Sequence, residues 1–163
     1  MTVNDRVSTD NQLARLLQIG IVLEEVVEVR AARHYETLSP DERDEDVEEL
    51  LEEASEESAD HRRRLEDLID QLDAEAVPLE EIQQLVEARY AQTGPEGFDG
   101  ILYDQLHGEE TAYKFYDDLI EAVEASDTDY ALDREELLAI LKEIREEEAD
   151  GVEEVTNFME KRA

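Results

Sequence analysis

Apolar residues recur at regular helical spacing along four long segments of the chain. In the third segment, Leu102, Tyr116 and Val123 fall on one seven-residue register, which places them on a single face of a helix. The same spacing in the other segments predicts an all-α protein with four long helices. Their expected bounds are about Asn11–Leu38, Pro40–Leu72, Phe98–Ala125 and Asp133–Lys161.

The connections between these helices predict how they are arranged. Ser39-Pro40-Asp41-Glu42 has the N-cap, first-turn proline and early acids of a helix start, so the first two helices form a tight hairpin. The turn Ser126–Asp129 gives a second hairpin. Residues 73–97 link the two and contain a short amphipathic helix, about Leu79–Tyr90. We therefore expect one domain over residues 1–163, a four-helix bundle with one long crossover and a frayed stretch over residues 1–10. A generic four-helix bundle is the alternative.

The chain is strongly acidic. Of its 163 residues, 48 are Asp or Glu and 15 are Lys or Arg, which gives a formal net charge of −33. A compact chain with this charge repels itself in dilute buffer, whereas molar salt shortens the screening length to about 3 Å. Only three of the 15 basic residues are lysines. This composition is typical of the cytoplasm of an extreme halophile.

The composition also limits the classes of partner. Nucleic acids and anionic membranes both attract basic surfaces, and the sequence shows no basic face. It contains no apolar run near the roughly 18 residues of a membrane span, no signal peptide and no cysteine. We expect a cytoplasmic protein that binds neither nucleic acid nor membrane. The short crossover helix has an apolar face that covers either the bundle or a second copy in a homodimer.

A layer of polar residues interrupts the apolar stripes. Each stripe is apolar except at its middle steps, where the four helices hold Glu28, His61, Glu109 and Glu148. Removing a lone carboxylate from water costs several kcal/mol. Three carboxylates on core-facing positions should therefore be paired, protonated or bound to a cation.

The two hairpins resemble each other in sequence. Glu28–Tyr35 and Glu109–Tyr116 share a Glu, an Ala three residues later and a Tyr seven residues later. Glu56–His61 and Glu146–Gly151 agree at four of six positions. The simplest explanation is an internal duplication of a helix pair.

The motif Gly108-Glu109-x-x-Ala112-x-x-x-Tyr116 resembles the first-helix signature of the rubrerythrin branch of the ferritin-like superfamily. The resemblance extends over about residues 12–160. It implies a bundle in which two helices each supply one Glu and the other two each supply a Glu-x-x-His, together holding two iron or manganese ions.

The sequence departs from that pattern in both Glu-x-x-His positions. One reads Ser58-Ala-Asp-His61 and the other Glu148-Ala-Asp-Gly151, so each has lost a different member. The resemblance then leaves four metal ligands for one or two ions. These are Glu28, His61, Glu109 and Glu148, with Glu24 and Glu57 as further candidates and Tyr35 and Tyr116 as their hydrogen-bonding neighbours.

Two functions follow from this reasoning. In the first, the chain is a rubrerythrin-like metal protein for iron handling or oxidant defence. Because a rubredoxin-like module needs cysteines, a redox cycle would depend on an external electron donor. In the second, the chain is a metal-free ferritin-like scaffold or interaction module, and its buried acids and His61 share protons. The four retained polar residues favour the first, and the two missing ligands favour the second.

Overall fold

The computed structural model describes residues 7–75, 78–82, 84 and 97–162, and this part of the chain contains helices but no strands. The all-α prediction is confirmed. The crossover helix predicted over Leu79–Tyr90 is helical at residues 79–82 and 84, and its remainder lies outside the described residues. The long helices are α1 (Asp10–Glu36), α2 (Glu45–Asp70), α3 (Gly97–Ala125) and α4 (Arg134–Arg162), with a 3-10 turn at Pro40–Glu42.

The four helices pack side by side around a common interior. Helix α1 packs along α2 and α3, and α4 packs along α3 and, more sparsely, along α2. Polar contacts follow the same pairs: Arg62 on α2 reaches Glu28 on α1, and Arg145 Nη1 on α4 lies 2.9 Å from Asp117 Oδ1 on α3. No helix in the described ranges combines the length and the apolar character needed to cross a bilayer.

The apolar core is divided into two clusters. The larger one fills the bundle from Val7 to the level of Val26 and includes Leu65, Tyr116 and Leu141. The smaller one lies near the α1–α2 turn and consists of Tyr35, Leu38, Val47, Leu50 and Val155. Buried polar side chains lie between the two clusters. The interruption of the apolar stripes in the sequence is therefore also an interruption of the core.

The frayed start predicted for residues 1–10 is wrong for Val7–Asp10, while residues 1–6 lie outside the described part. Val7 is fully buried, and its carbonyl accepts a hydrogen bond from the Tyr130 hydroxyl. Asp10 Oδ2 accepts hydrogen bonds from the backbone N–H groups of Asp73, at 2.9 Å, and Ala131, at 3.2 Å. These contacts tie the start of α1 to both loops at its end of the bundle.

Helix α2 begins later than Pro40 and the acids that follow it predict. Pro40 starts only the 3-10 turn, and α2 begins at Glu45. The cap is Asp44, whose Oδ1 accepts from the Asp46 N–H at 2.8 Å. Arg43 is extended, with φ −75° and ψ 143°, so the helix cannot run through from Pro40. The sequence thus contains two possible helix starts, at Ser39 and at Asp44, and it is the side chain of Asp44 that makes the capping hydrogen bond.

Candidate metal centre

Three buried side chains meet between the two apolar clusters. Glu24 on α1, His61 on α2 and Glu148 on α4 are 4%, 0% and 3% exposed. Glu24 Oε1 and Glu148 Oε1 each lie 3.1 Å from the same atom, His61 Nδ1. We call these three residues the Glu–His–Glu triad.

The other ring nitrogen of His61 faces a second set of charges. Nε2 lies 3.0 Å from Glu147 Oε2 and 3.9 Å from Glu57 Oε1. Glu147 is fixed in turn by Arg64, whose Nη2 donates to it at 2.6 Å. An N–H on Nε2 donating to Glu147 leaves Nδ1 directed at the two triad carboxylates. A carboxylate on the far nitrogen commonly orients a histidine that binds metal.

Tyr116 closes the triad on the side of the larger apolar cluster. Its hydroxyl donates to Glu24 Oε1 at 2.9 Å, and the residue is fully buried. Gly20, one turn before Glu24, lies beside this bond and leaves room for the side chains of Leu65 and Phe115. A Cβ at Gly20 would lie 3.2 Å from Phe115 Cε2 and 3.5 Å from the Tyr116 hydroxyl.

Glu109 on α3 joins the triad through Glu148. The two carboxyl groups share a hydrogen bond, and Gln105 Nε2 donates to Glu109 Oε1 at 2.8 Å. Glu109 is 9% exposed and fits against Gly151, where a Cβ would lie only 2.6 Å from its Oε2. The glycine thus leaves the space that the carboxylate occupies. We refer to the triad together with Glu109 as the core cluster.

Burial alone would raise the pKa of Glu24 and lower that of His61, but contacts between the two reverse both effects. Hydrogen bonding and the charge of His61, with hydrogen bonds from Glu148 and Tyr116, lower the pKa of Glu24. Hydrogen bonding and the charge of Glu24, with Glu147 and Glu57, raise the pKa of His61. The pair is therefore a carboxylate beside an imidazolium.

Three further acids at this site, Glu109, Glu148 and Glu57, have raised pKa values. Burial raises the pKa of Glu109, and burial together with the charge of Glu24 holds the pKa of Glu148 far above its usual range. Protonated Glu148 can donate to Glu24 or to Glu109. Burial likewise raises the pKa of Glu57 to about 7, with the nearby carboxylates adding to the effect. The core cluster therefore holds protons that a bound cation would displace.

The donor atoms also fit a metal ion. Bonds from nitrogen and oxygen to such ions are about 2.0–2.2 Å long, so two donors at right angles lie about 3 Å apart. The two carboxylate oxygens are each 3.1 Å from His61 Nδ1, and all three donors lie within 4.8 Å of one another. The buried Glu24–His61–Glu148 triad can therefore hold a metal ion.

The candidates from the sequence are distributed unevenly around this site. His61 and Glu148 are in the triad with Glu24, and Glu109 adjoins it. Glu57 lies on the far side of the imidazole. Glu28 is one turn away, where it accepts from Ser55 Oγ at 2.6 Å and pairs with Arg62. Of the two tyrosines, only Tyr116 contacts the triad.

Tyr35 does not occupy the expected position beside the ligands. Its hydroxyl donates to the Asp44 carbonyl at 3.1 Å and accepts from the Asp44 N–H at 3.2 Å. It therefore fastens the α1–α2 turn. Tyr35 follows Glu28 by seven residues, just as Tyr116 follows Glu109, so spacing alone could not distinguish a tyrosine that fastens the turn from one that contacts the triad.

Tyr35→Phe is expected to lower the free energy of unfolding by about 1–2 kcal/mol, because both backbone groups of Asp44 lose a partner. Metal content should not change. Urea unfolding measures the first quantity and elemental analysis the second. Tyr113→Phe, at a side chain that is 37% exposed, is the matched control. A loss of metal in Tyr35→Phe alone would contradict this assignment.

Two residues of the site were not among the sequence candidates. Glu147 orients His61, and Arg64 neutralises Glu147 while also binding Asp60 Oδ2 at 2.6 Å. Glu147 is off the core stripe and 35% exposed, so its periodicity marks it as a surface acid. The sequence signal that could have indicated Arg64 was the basic run, which places it three residues after His61 and four after Asp60, on the same face of the helix.

No protein-family model, curated protein or solved structure matches this chain. The function of the protein is therefore inferred from its residues and their geometry.

Proposed function

We propose that this protein binds a first-row transition-metal ion inside its helical bundle, with Glu24, His61 and Glu148 as ligands. One observation carries the proposal: two buried carboxylate oxygens converge on a single imidazole nitrogen, and Glu147 holds the opposite nitrogen. Two oxygens and one nitrogen do not fill the coordination sphere of such an ion. Glu109, bonded to Glu148, is the candidate for a further ligand.

Carboxylate oxygens with one imidazole suit iron and manganese. We further propose that the chain is a ferritin-like protein related to the rubrerythrin branch. The order of the four long helices and the spacing in Gly108–Tyr116 support this relation. His61 is the only histidine in the core cluster, and within the described residues one group of possible ligands converges. We therefore infer one ion rather than two.

On this proposal the protein handles iron or removes oxidants. The ion, when bound, would supply electron exchange with oxygen or peroxide. The chain itself excludes water and holds protons beside the ion: Tyr116 donates to Glu24, and Glu148 has a proton to give up. Because the chain contains no cysteine, repeated reduction of peroxide would require an external electron donor.

A metal-free scaffold is the second candidate, and one observation favours it. The core cluster is internally hydrogen-bonded without a cation, since His61, Tyr116 and Gln105 supply donors and Glu148 keeps a proton. In this case the polar layer fixes the register of the four helices, a role in which buried polar groups are known to act.

Elemental analysis distinguishes the two candidates. The protein is purified without chelator in molar KCl, loaded with Fe²⁺ or Mn²⁺ under argon and desalted. We expect about one retained ion per chain in the wild type. In Glu148→Gln the retained metal per chain should be at least tenfold lower. Glu146→Gln, at a neighbouring side chain that is 66% exposed, should retain the ion. No retained metal in the wild type would leave the scaffold as the function.

Metal affinity is expected to rise with pH. The pKa of His61 and that of Glu148 are both raised, so both groups favour their protonated forms and each must release a proton before metal binds. Each released proton makes binding about tenfold tighter per pH unit below the pKa of its group. Titration calorimetry in two buffers of different ionisation enthalpy counts these protons. Glu148→Gln should release about one fewer, and an affinity independent of pH would contradict the expectation.

A further inference from the structure

A cavity of about 470 Å³ lies between α1 and α2, near the turn that joins them. A water molecule takes up about 30 Å³ of liquid, so the cavity has room for several waters or a hydrated ion. Ala32 and Glu52, both exposed, are at its outer side, whereas Gln105, 3% exposed, lies at its inner end.

The inner end of the cavity adjoins the core cluster on three helices. Glu28, Ser58 and Gln105 line the cavity, and each is one helical turn from a cluster residue. Glu28 follows Glu24 by four residues, Ser58 precedes His61 by three, and Gln105 precedes Glu109 by four. Residues three or four apart are neighbours on one helix face.

A direct hydrogen bond connects the cavity wall to the core cluster. Gln105 Nε2 donates to Glu109 Oε1 at 2.8 Å, and Glu109 shares a hydrogen bond with Glu148. Ser58 adds a small side chain where the same seven-residue register carries Leu51 before it and Leu65 after it. Polar side chains therefore lie between the cavity and the Glu–His–Glu triad.

The charges of the cavity favour a cation over an anion. Among its described lining residues, four are glutamates and two are arginines, and Arg62 pairs with one of the glutamates, Glu28, so acidic charges still outnumber basic ones by one. The guanidinium of Arg43 is already bonded to the carbonyls of Leu38, at 3.3 Å, and Glu36, at 3.0 Å. Carboxylate and amide oxygens can replace the waters that a hard divalent ion sheds on its way inward.

The opposite side of His61 leads to Nε2 rather than to Nδ1, the atom on which the triad carboxylates converge. Glu57 and Glu147 are partly exposed there, but they face Nε2, and the imidazole ring separates them from Nδ1. Arg64 also covers Glu147 and places a positive charge in that approach.

We propose that the cavity between α1 and α2 is the entrance through which a divalent metal ion reaches the Glu–His–Glu triad. This inference rests on the proposed metal centre. The glutamates at the outer side attract the hydrated ion, and Glu28, Ser58 and Gln105 pass it to the core cluster as it loses water.

Stopped-flow uptake of Co²⁺, followed by its visible absorbance, tests the entrance. Ala32→Phe should cover the outer side of the cavity and slow uptake at least tenfold, while the final amount bound stays the same. Ala139→Phe, an exposed position on α4, is the matched control and should bind at the wild-type rate.

A charge variant gives an independent measure. Glu48→Lys/Glu52→Lys, at the cavity, should slow uptake more than Glu49→Lys/Glu56→Lys, which makes the same change in net charge at exposed positions of α2 that do not line it. If both cavity variants took up Co²⁺ at the wild-type rate, the proposed entrance would be wrong, while the proposed metal centre would be unaffected. A lowered final amount in Ala32→Phe would overturn it too, since the cavity would then be part of the binding site. Failure of the wild type to bind Co²⁺ at all would overturn the metal centre and the entrance together.

Discussion

His61→Ala is expected to lower the free energy of unfolding of the metal-free protein by about 3–5 kcal/mol and to abolish metal retention. The imidazole is fully buried and is bonded to Glu24 and Glu148 through Nδ1 and to Glu147 through Nε2. Its removal leaves Glu24 as a buried carboxylate without its cation. Breaking one partner of a buried pair costs this much because the other charge remains out of water.

The sign of the pH effect follows from the same contacts. Because the folded pKa of His61 is raised above its unfolded value near 6.5, its stabilisation is fully present below that value and is lost as pH rises through the folded pKa. The penalty of His61→Ala should therefore be largest in mildly acidic buffer and shrink in alkaline buffer.

Urea unfolding in molar KCl measures this penalty while screening the large net charge. His107→Ala, at an exposed position on α3, removes the same side chain outside the core cluster and should change stability by less than about 1 kcal/mol. Equal effects of the two substitutions would show that His61 does not carry the charge balance of the core cluster.

The sequence predicted the helices and the composition of the site better than it predicted which carboxylates meet. Regular spacing identified all four long helices, and the break in each stripe identified the level at which the core becomes polar. Spacing could not choose between Glu24 and Glu28, which lie one turn apart on the same helix face. The choice depends on partners in other helices: Tyr116 and His61 meet Glu24, while Arg62 and Ser55 meet Glu28.

Ligand-orienting residues that lie off the core-facing stripes, such as Glu147, could not be predicted from the sequence for a related reason. Glu147 bonds His61 from the edge of the α2–α4 contact, where these two helices pack sparsely. A glutamate at such an edge has the same local sequence as a solvated surface acid. In a chain with 48 acidic residues, only the distances between helices separate the two.

Gly151 was a missing ligand in the sequence, but in the structure it is the position that admits Glu109. A Cβ there would lie 2.6 Å from Glu109 Oε2 and 2.9 Å from its Cδ. Glu109 is buried and is fixed by Gln105 and Glu148, so its carboxylate cannot move aside freely. The carboxylate of Glu109, from α3, thus fills the space that a side chain at residue 151 would otherwise occupy.

Gly151→Ala is therefore expected to change sign with its background. In the wild type it should destabilise the protein by about 1–3 kcal/mol, the usual range for overpacking. In Glu109→Ala the obstruction is gone, and alanine should stabilise α4 by up to about 1 kcal/mol because it is the better helix former. Urea unfolding of the two single variants and the double variant gives the coupling between the positions, expected at about 1–4 kcal/mol. Additive effects would mean that the carboxylate avoids the new methyl group at little cost, and that Gly151 has no part in holding Glu109 against the Glu–His–Glu triad.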